Sequence, residues 1–180
     1  GTKNSTTFLR GDNTFNAPPL GGITMADQWR LSANQELTTA DVTANLEQVD
    51  TAGQGTIGTA MSQSSGIFTF PLTGIYMVRF DANFRQNSGA GGARYIIGKI
   101  KVTTNNSSYV DAAIGFTSMD DWINNTISVS TSTASLIDVT NTSNVKVKFS
   151  TESATSSNFF LLGDSTKNIS TFSFTRLGDT

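Results

Sequence analysis

The stretch GIFTFPLTGIYMVRF, residues 66–80, constrains this chain more than any other. Phe68 and Phe70 share one side of a short apolar run. Pro71-Leu72-Thr73-Gly74 then turns the chain, and Tyr76, Val78 and Phe80 again share one side. Alternation at period two, carried by aromatic and β-branched residues, is the signature of strands. Pro71 has no N–H to give to a ladder, so it belongs at a strand end. Gly74 can take backbone angles closed to other residues. The run therefore reads as two strands joined by a tight corner, a phenylalanine- and tyrosine-rich hairpin.

Composition limits what such strands can serve. The chain has 180 residues, enough for one domain with a buried core and a short appendage. Charged residues make up only 14%, and the net charge is −2. A nucleic-acid partner needs a basic stripe that displaces counterions, and none is present. Cysteine and histidine are both absent, which removes disulfides, zinc and thiol or histidine-based catalysis. No apolar run approaches the ~20 residues that span a bilayer, and no signal peptide opens the sequence. Neither absence locates the protein, because residue 1 can be a processing boundary. The surface must be rich in uncharged polar residues, as TTNNSS, STSTAS and TNTSN illustrate.

Along the chain, residues 1–22 show no sustained period and read as an extended arm or linker, with residues 23–180 as the folded head. Trp29 and Leu31 flank Arg30 in a first strand. Val42, Leu46 and Val49 have helical spacing, and residues 38–50 are ambiguous on their own. Gly53, Gly55 and Gly58 mark a loop. Tyr76, Val78, Phe80, Ala82 and Phe84 make one unbroken apolar face. Residues 88–92 (SGAGG) form a tip. Residues 94–103 form a strand with Ile96, Gly98, Ile100 and Val102 on one side and Lys99 and Lys101 on the other. Val110, Ala112, Ile114 and Phe116 alternate with Asp111, Ala113 and Gly115, and residues 117–125 read as a loop. Ile127 and Val129 lead a Ser/Thr-rich strand. Residues 136–139 and 145–149 flank a turn, and residues 169–177 form the last strand. Strands spaced this way predict an all-β antiparallel sandwich.

Two segments carry a resemblance. Phe68, Gly74 and Tyr76, with five residues and then one between them, resemble the central motif of the complement-globular-head and tumour-necrosis-factor superfamily. Residues 168–179 (NISTFSFTRLGD) resemble that superfamily's terminal strand, which closes beside the first. The resemblance covers roughly residues 29–179. It implies a jelly-roll β-sandwich assembled as a homotrimer, and it makes residues 46–50 an accessory strand. Residues 7–15 (TFLRGDNTF) look like the FLRGDGTW-type connector of phage tail fibres, with Asn13 and Phe15 as departures. That likeness implies a virion appendage in which the arm contacts other virion proteins. The embedded Arg10-Gly11-Asp12 is explained by a turn between Leu9 and Thr14, without a receptor of its own.

The candidate site is the loop Met119-Asp120-Asp121-Trp122-Ile123-Asn124-Asn125. Trp122 offers a flat apolar plate for a sugar ring, and Asp120, Asp121, Asn124 and Asn125 can bond hydroxyls. Trp122 packing against the sandwich or a neighbouring subunit is the plainer alternative. Tyr109, Arg85 and Arg94 are weaker candidates. Asp120 and Asp121 suggest a calcium site less well, since their spacing matches no known calcium loop. No nucleophile with a base can be assembled, and nothing singles out a glycosidase pair among Asp111, Asp138, Glu152 and Asp164. The expectation is a receptor-binding phage fibre head on the virion surface, with no catalysis, cofactor, metal, nucleic acid or membrane, and a host-surface glycan or protein as target. A capsid decoration trimer held by its arm is the alternative. A secreted recognition ligand and a fibre-borne depolymerase come after it.

Overall fold

A computed structural model describes residues 2–4, 7–16, 22–37, 39–86, 92–120, 126–154 and 159–180. The described residues carry no helix. Two short strands, β1 (Phe8–Leu9) and β2 (Phe15–Asn16), form a sheet of their own. The others follow as β3 (Met25–Leu31), β4 (Gln35–Glu36), β5 (Ala40–Asp41), β6 (Leu46–Gln48), β7 (Ser62–Ser64) and β8 (Ile67–Thr69). Next come β9 (Gly74–Gln86), β10 (Ala93–Thr103), β11 (Val110–Met119) and β12 (Ile127–Val139). The chain ends through β13 (Lys146–Ser153), β14 (Phe159–Leu161) and β15 (Thr171–Gly178).

Two antiparallel sheets pack face to face. One runs β11-β10-β13-β8-β7, with β5 also on β13, and the other runs β4-β14-β9-β15-β3-β6, with β12 also on β9. The last strand therefore lies beside the first long one, as the terminal-strand resemblance implied. The expected strand at residues 46–50 is β6, shorter at three residues. The helical spacing of Val42, Leu46 and Val49 arises because a bend at Asn45 (φ 57°) breaks the run between two short strands.

The motif stretch is not a hairpin. β8 pairs with β7 and β13, whereas β9 pairs with β12, β14 and β15, so the corner at Pro71–Thr73 carries the chain from one sheet to the other. Gly74 begins β9 at φ 139°, and a Cβ there would lie 2.4 Å from the Gly178 carbonyl oxygen. Tyr76 is fully buried, its ring 4.7 Å from that of Phe70, and its hydroxyl donates to the Leu72 carbonyl at 2.9 Å. Both sides of the corner are thus tied to one phenol.

Phenylalanines fill the space between the sheets. Phe68 and Phe149 come from the six-stranded sheet, while Phe80, Phe172 and Phe174 come from the seven-stranded one. Ring centroids lie 5.1 Å apart for Phe68–Phe174, 4.7 Å for Phe149–Phe172 and 4.9 Å for the stacked Phe80–Phe172. Such pairs add ~0.5–1.5 kcal/mol each beyond area burial. The Phe80 ring also needs room on the far sheet. Gly98 supplies it, since a Cβ there would sit 3.2 Å from the ring.

One buried polar group organises the other end. Asp27, on β3 and 4% exposed, accepts hydrogen bonds from the Gln28 and Met61 amides, Trp29 Nε1, Gln48 Nε2 and the Thr56 hydroxyl, at 2.9–3.0 Å. A carboxylate this well supplied is stable in the interior, and it pins the glycine loop of residues 49–61 to the sheet.

β11 departs from its sequence reading in length and facing. It runs to Met119, three residues into the expected loop. Its large residues point out, with Val110 64%, Ile114 42% and Phe116 66% exposed, while Gly115 and Met119 are buried. The ladder to β10 shifts register between Ile100 and Lys101, and this sets the facing. Gly115 then meets β12, where a Cβ would lie 2.5 Å from the Thr131 hydroxyl oxygen. The Ser/Thr-rich segment and residues 136–139 are one strand, β12, paired with β9 from end to end. β14, which buries Phe159 and Leu161, had no counterpart in the sequence reading. Of the expected tip at residues 88–92, only Gly92 lies within the described residues.

Truncating Tyr76 removes a fully buried ring and the corner's hydrogen bond. Tyr76→Ala is expected to lower unfolding free energy by ~3 kcal/mol or more, measured by urea denaturation. A loss below ~1 kcal/mol would place the ring outside the core.

Candidate functional site

The structure separates the predicted site residues. Asp120 lies exposed immediately after β11. Tyr109 precedes the same ten-residue strand, so the two are roughly 35 Å apart at ~3.4 Å per residue. They do not form one site. Asp121, Trp122, Asn124 and Asn125 lie outside the described residues. Arg85 is half-buried on β9, while Arg94 is exposed at the start of β10.

Tyr109 belongs to a charged array on the outer face of the six-stranded sheet. The Lys148 ammonium sits 4.2 Å from its ring centroid, a cation–π contact. Burial pushes the phenol pKa up, and the Lys148 charge opposes that shift. Lys148 also meets Asp41 at 2.6 Å, and Lys101 reaches the same carboxylate at 3.6 Å. Lys99 bridges Glu152 at 2.7 Å and Asp111 at 3.4 Å. Period two explains the array, because lysines alternate with core residues along β10 and β13 and so emerge on one face. Three ammoniums and three carboxylates cancel. A cleft of about 90 Å³ between them is walled by Asp41, Lys99, Lys101 and Glu152 and floored by Ser150 and Thr151.

This array bears on acid–base chemistry. Asp111 and Glu152 share one lysine, so each is occupied as an ion-pair partner. Asp164 accepts from the Thr166 hydroxyl and amide and from the Lys167 amide, which hold its pKa at about 2. Asp164 is thereby held far from the raised pKa of a general acid. Asp138 is exposed on β12. Among the described residues no group of three or more Asp or Glu side chains is arranged to hold a metal. Nor, among them, is any helix long and apolar enough to cross a membrane.

A larger concavity lies where β10 begins and β11 ends. It encloses about 630 Å³ and is lined by Gly92, Ala93, Arg94, Ser118, Met119 and Asp120. Ala93 pairs with Met119, and both are buried, so they close its floor. Arg94, Ser118 and Asp120 are exposed around it. Phe116, two residues before Ser118, stands on the same outer face. Sequence reasoning found Asp120 and Arg94 but missed Ser118 and Phe116. The small residues Ala113 and Gly115 were the available signal, because a sheet face packed closely on another strand selects small side chains.

Arg10-Gly11-Asp12 forms the turn between β1 and β2, closed by Arg10 N–H to Thr14 O at 2.8 Å, with Asn13 at φ 59°. Asp12 accepts from the Thr14 amide and hydroxyl and lies 3.9 Å from Arg10. The side chains serve the turn, as expected.

No protein-family model matches the chain, and no curated protein matches it by sequence. Solved structures do. Eiger TNF from S. frugiperda superposes with a TM-score of 0.61 at 10% identity, covering 88% of this chain and 96% of that one. Murine APRIL at pH 8.5 gives 0.55 at 12% identity over 85% and 98%, and at pH 5.0 gives 0.52 at 11% over the same shares. The fold is a tumour-necrosis-factor-like jelly roll. Identities this low carry the fold alone.

The charged array has a pH signature. The hydrogen bond to Glu152, aided by the Asp111 and Glu152 charges and opposed by desolvation, raises the Lys99 pKa. The folded chain therefore holds that proton more tightly than the unfolded chain. Its stabilisation is intact below the ordinary lysine value of ~10.4 and shrinks as pH rises past it. Urea titrations should show stability falling above that pH, with part of the slope missing in Lys99→Met. Equal slopes in the two proteins would count against the pairing.

Proposed function

We propose that this chain is a homotrimeric receptor-binding head of a phage fibre, held on the virion by the arm of residues 1–22. The supporting observation is the open face of the seven-stranded sheet. Ladder partners Ala26, Thr175, Met77 and Leu136 form one row across it, with Met77 37% and Leu136 59% exposed. Gln28, Ser173, Arg79 and Ala134 form the next. Uncharged residues dominate these two rows, and Arg79, the one charged side chain in them, is already paired with Asp81 at 2.8 Å. A second copy can approach this face closely, and a closed three-fold arrangement leaves no such face open. The superfamily resemblance favours the same number, and the FLRGD-type connector supports the fibre setting.

The mechanism is attachment without turnover. Loops at the ends of a rigid sandwich contact a host-surface glycan or protein, and three copies multiply weak contacts through effective concentration. The paired carboxylates of the outer face suit this reading better than a depolymerase. Similarity to Eiger TNF and APRIL favours a second reading, a trimeric ligand of a cellular receptor. The connector-like arm weighs against it. In a capsid decoration trimer the same arm would clamp shell proteins and the head would bind nothing.

Light scattering on the isolated chain should give the mass of three 19.1 kDa copies, and Leu136→Arg should convert it to monomer. A wild-type monomer at micromolar concentration would overturn the assembly. Imaging of intact particles, with the head located by a specific antibody, separates fibre tip from shell and from no particle at all.

A further inference from the structure

Phe116 is the most exposed aromatic side chain among the described residues, at 66%. The core does not use it, and it lies on the sheet face opposite to the one assigned to assembly. Its neighbours give the exposure a meaning. It pairs across the ladder with Ile97, which is 5% exposed and backs the ring, and Ser118 follows on the same face at ~6.8 Å. Beyond Ser118 opens the cleft of about 630 Å³, within the ~300–1,000 Å³ of small-ligand sites.

We infer that Phe116 and this cleft form a binding site for a neutral saccharide, with the ring as stacking plate and Arg94, Ser118 and Asp120 as hydroxyl partners. The chemistry follows from the groups present. A sugar ring has an apolar C–H face that lies flat on an aromatic plate, and a rim of hydroxyls that both donate and accept. Arg94 offers donors, Asp120 offers acceptor oxygens, and Ser118 does either. Arg94 and Asp120 offset each other's charge, so neither an acidic nor a basic sugar gains a net attraction, and a neutral ring of hydroxyls can use both groups. The floor made by Ala93 and Met119 is apolar and buried, which gives the cleft a fixed base.

This site rests on the attachment reading and names its ligand class. Saturation-transfer NMR on the full chain, with maltoheptaose, cellohexaose, mannohexaose and galactan oligosaccharides, tests it. Sialyllactose serves as the acidic comparison. At least one neutral probe should receive saturation, and Phe116→Ala and Asp120→Asn should each weaken it about tenfold. Both positions are exposed, so the fold is expected to tolerate either change. No transfer to any neutral probe overturns the site, as does equal binding by both variants or binding of sialyllactose alone. Light scattering on the same samples separates the causes. Loss of the trimer in Phe116→Ala shows the ring buried between copies and removes the site. A whole wild-type trimer with no sugar signal removes the site and leaves attachment standing, whereas a wild-type monomer removes both.

Discussion

The structure depends on phenylalanine rings from two sheets meeting in one layer. Phe68 and Phe149 enter from one side and Phe80, Phe172 and Phe174 from the other, with four of the inter-ring distances between 4.7 and 5.4 Å. Without cysteine, nothing covalent joins the sheets. The corner at Pro71–Thr73 carries the chain from one to the other, and Tyr76 fastens it by packing on Phe70 and bonding to Leu72. The two ends of the motif are therefore held by the same layer they create.

Charge is treated differently on the two outer faces. The six-stranded sheet gathers lysines and carboxylates into a balanced array, so its sparse charges are spent on one another. On the seven-stranded sheet β12 and β15 present mostly Ser, Thr and Ala, while β9 carries Arg79 and Asp81, paired with each other at 2.8 Å. Much of the charge is thus paired locally, and uncharged polar side chains make up a large share of the remaining surface. That suits hydrogen-bonding partners better than highly charged ones, in keeping with the absence of a basic stripe.

Much of this was legible in the sequence because strand alternation reports burial directly. The faces of β9, β10 and β13 follow their residues, since each has one side on the core and one outside. β11 was misread for a reason local to it. Its large residues are the exposed ones, because Gly115 must fit against Thr131 and a register shift sets the phase. Alternation shows that two faces differ but not which one is inside. The sheet-crossing corner was likewise hidden. Phe68 through Tyr76 reads the same whether the strands pair with each other or with strands far along the chain. Asp27 gave no signal at all, as its five donors come from four separate places in the sequence. Of the candidate site, Asp120 and Arg94 were found as polar residues near a turn, and Phe116 was lost with the facing of β11.

The pairing of β3 with β15 has a mechanical consequence. Arg176 stands opposite Met25, so the head's point of entry lies beside its last strand. A pull applied to the start of β3 along the strand's own length would load its ladders to β15 and β6. Antiparallel ladder bonds run perpendicular to the strands, so that pull shears the whole row at once and does not open it one bond at a time. Force along β3 would therefore be resisted better than force that peels the strand away from its neighbours.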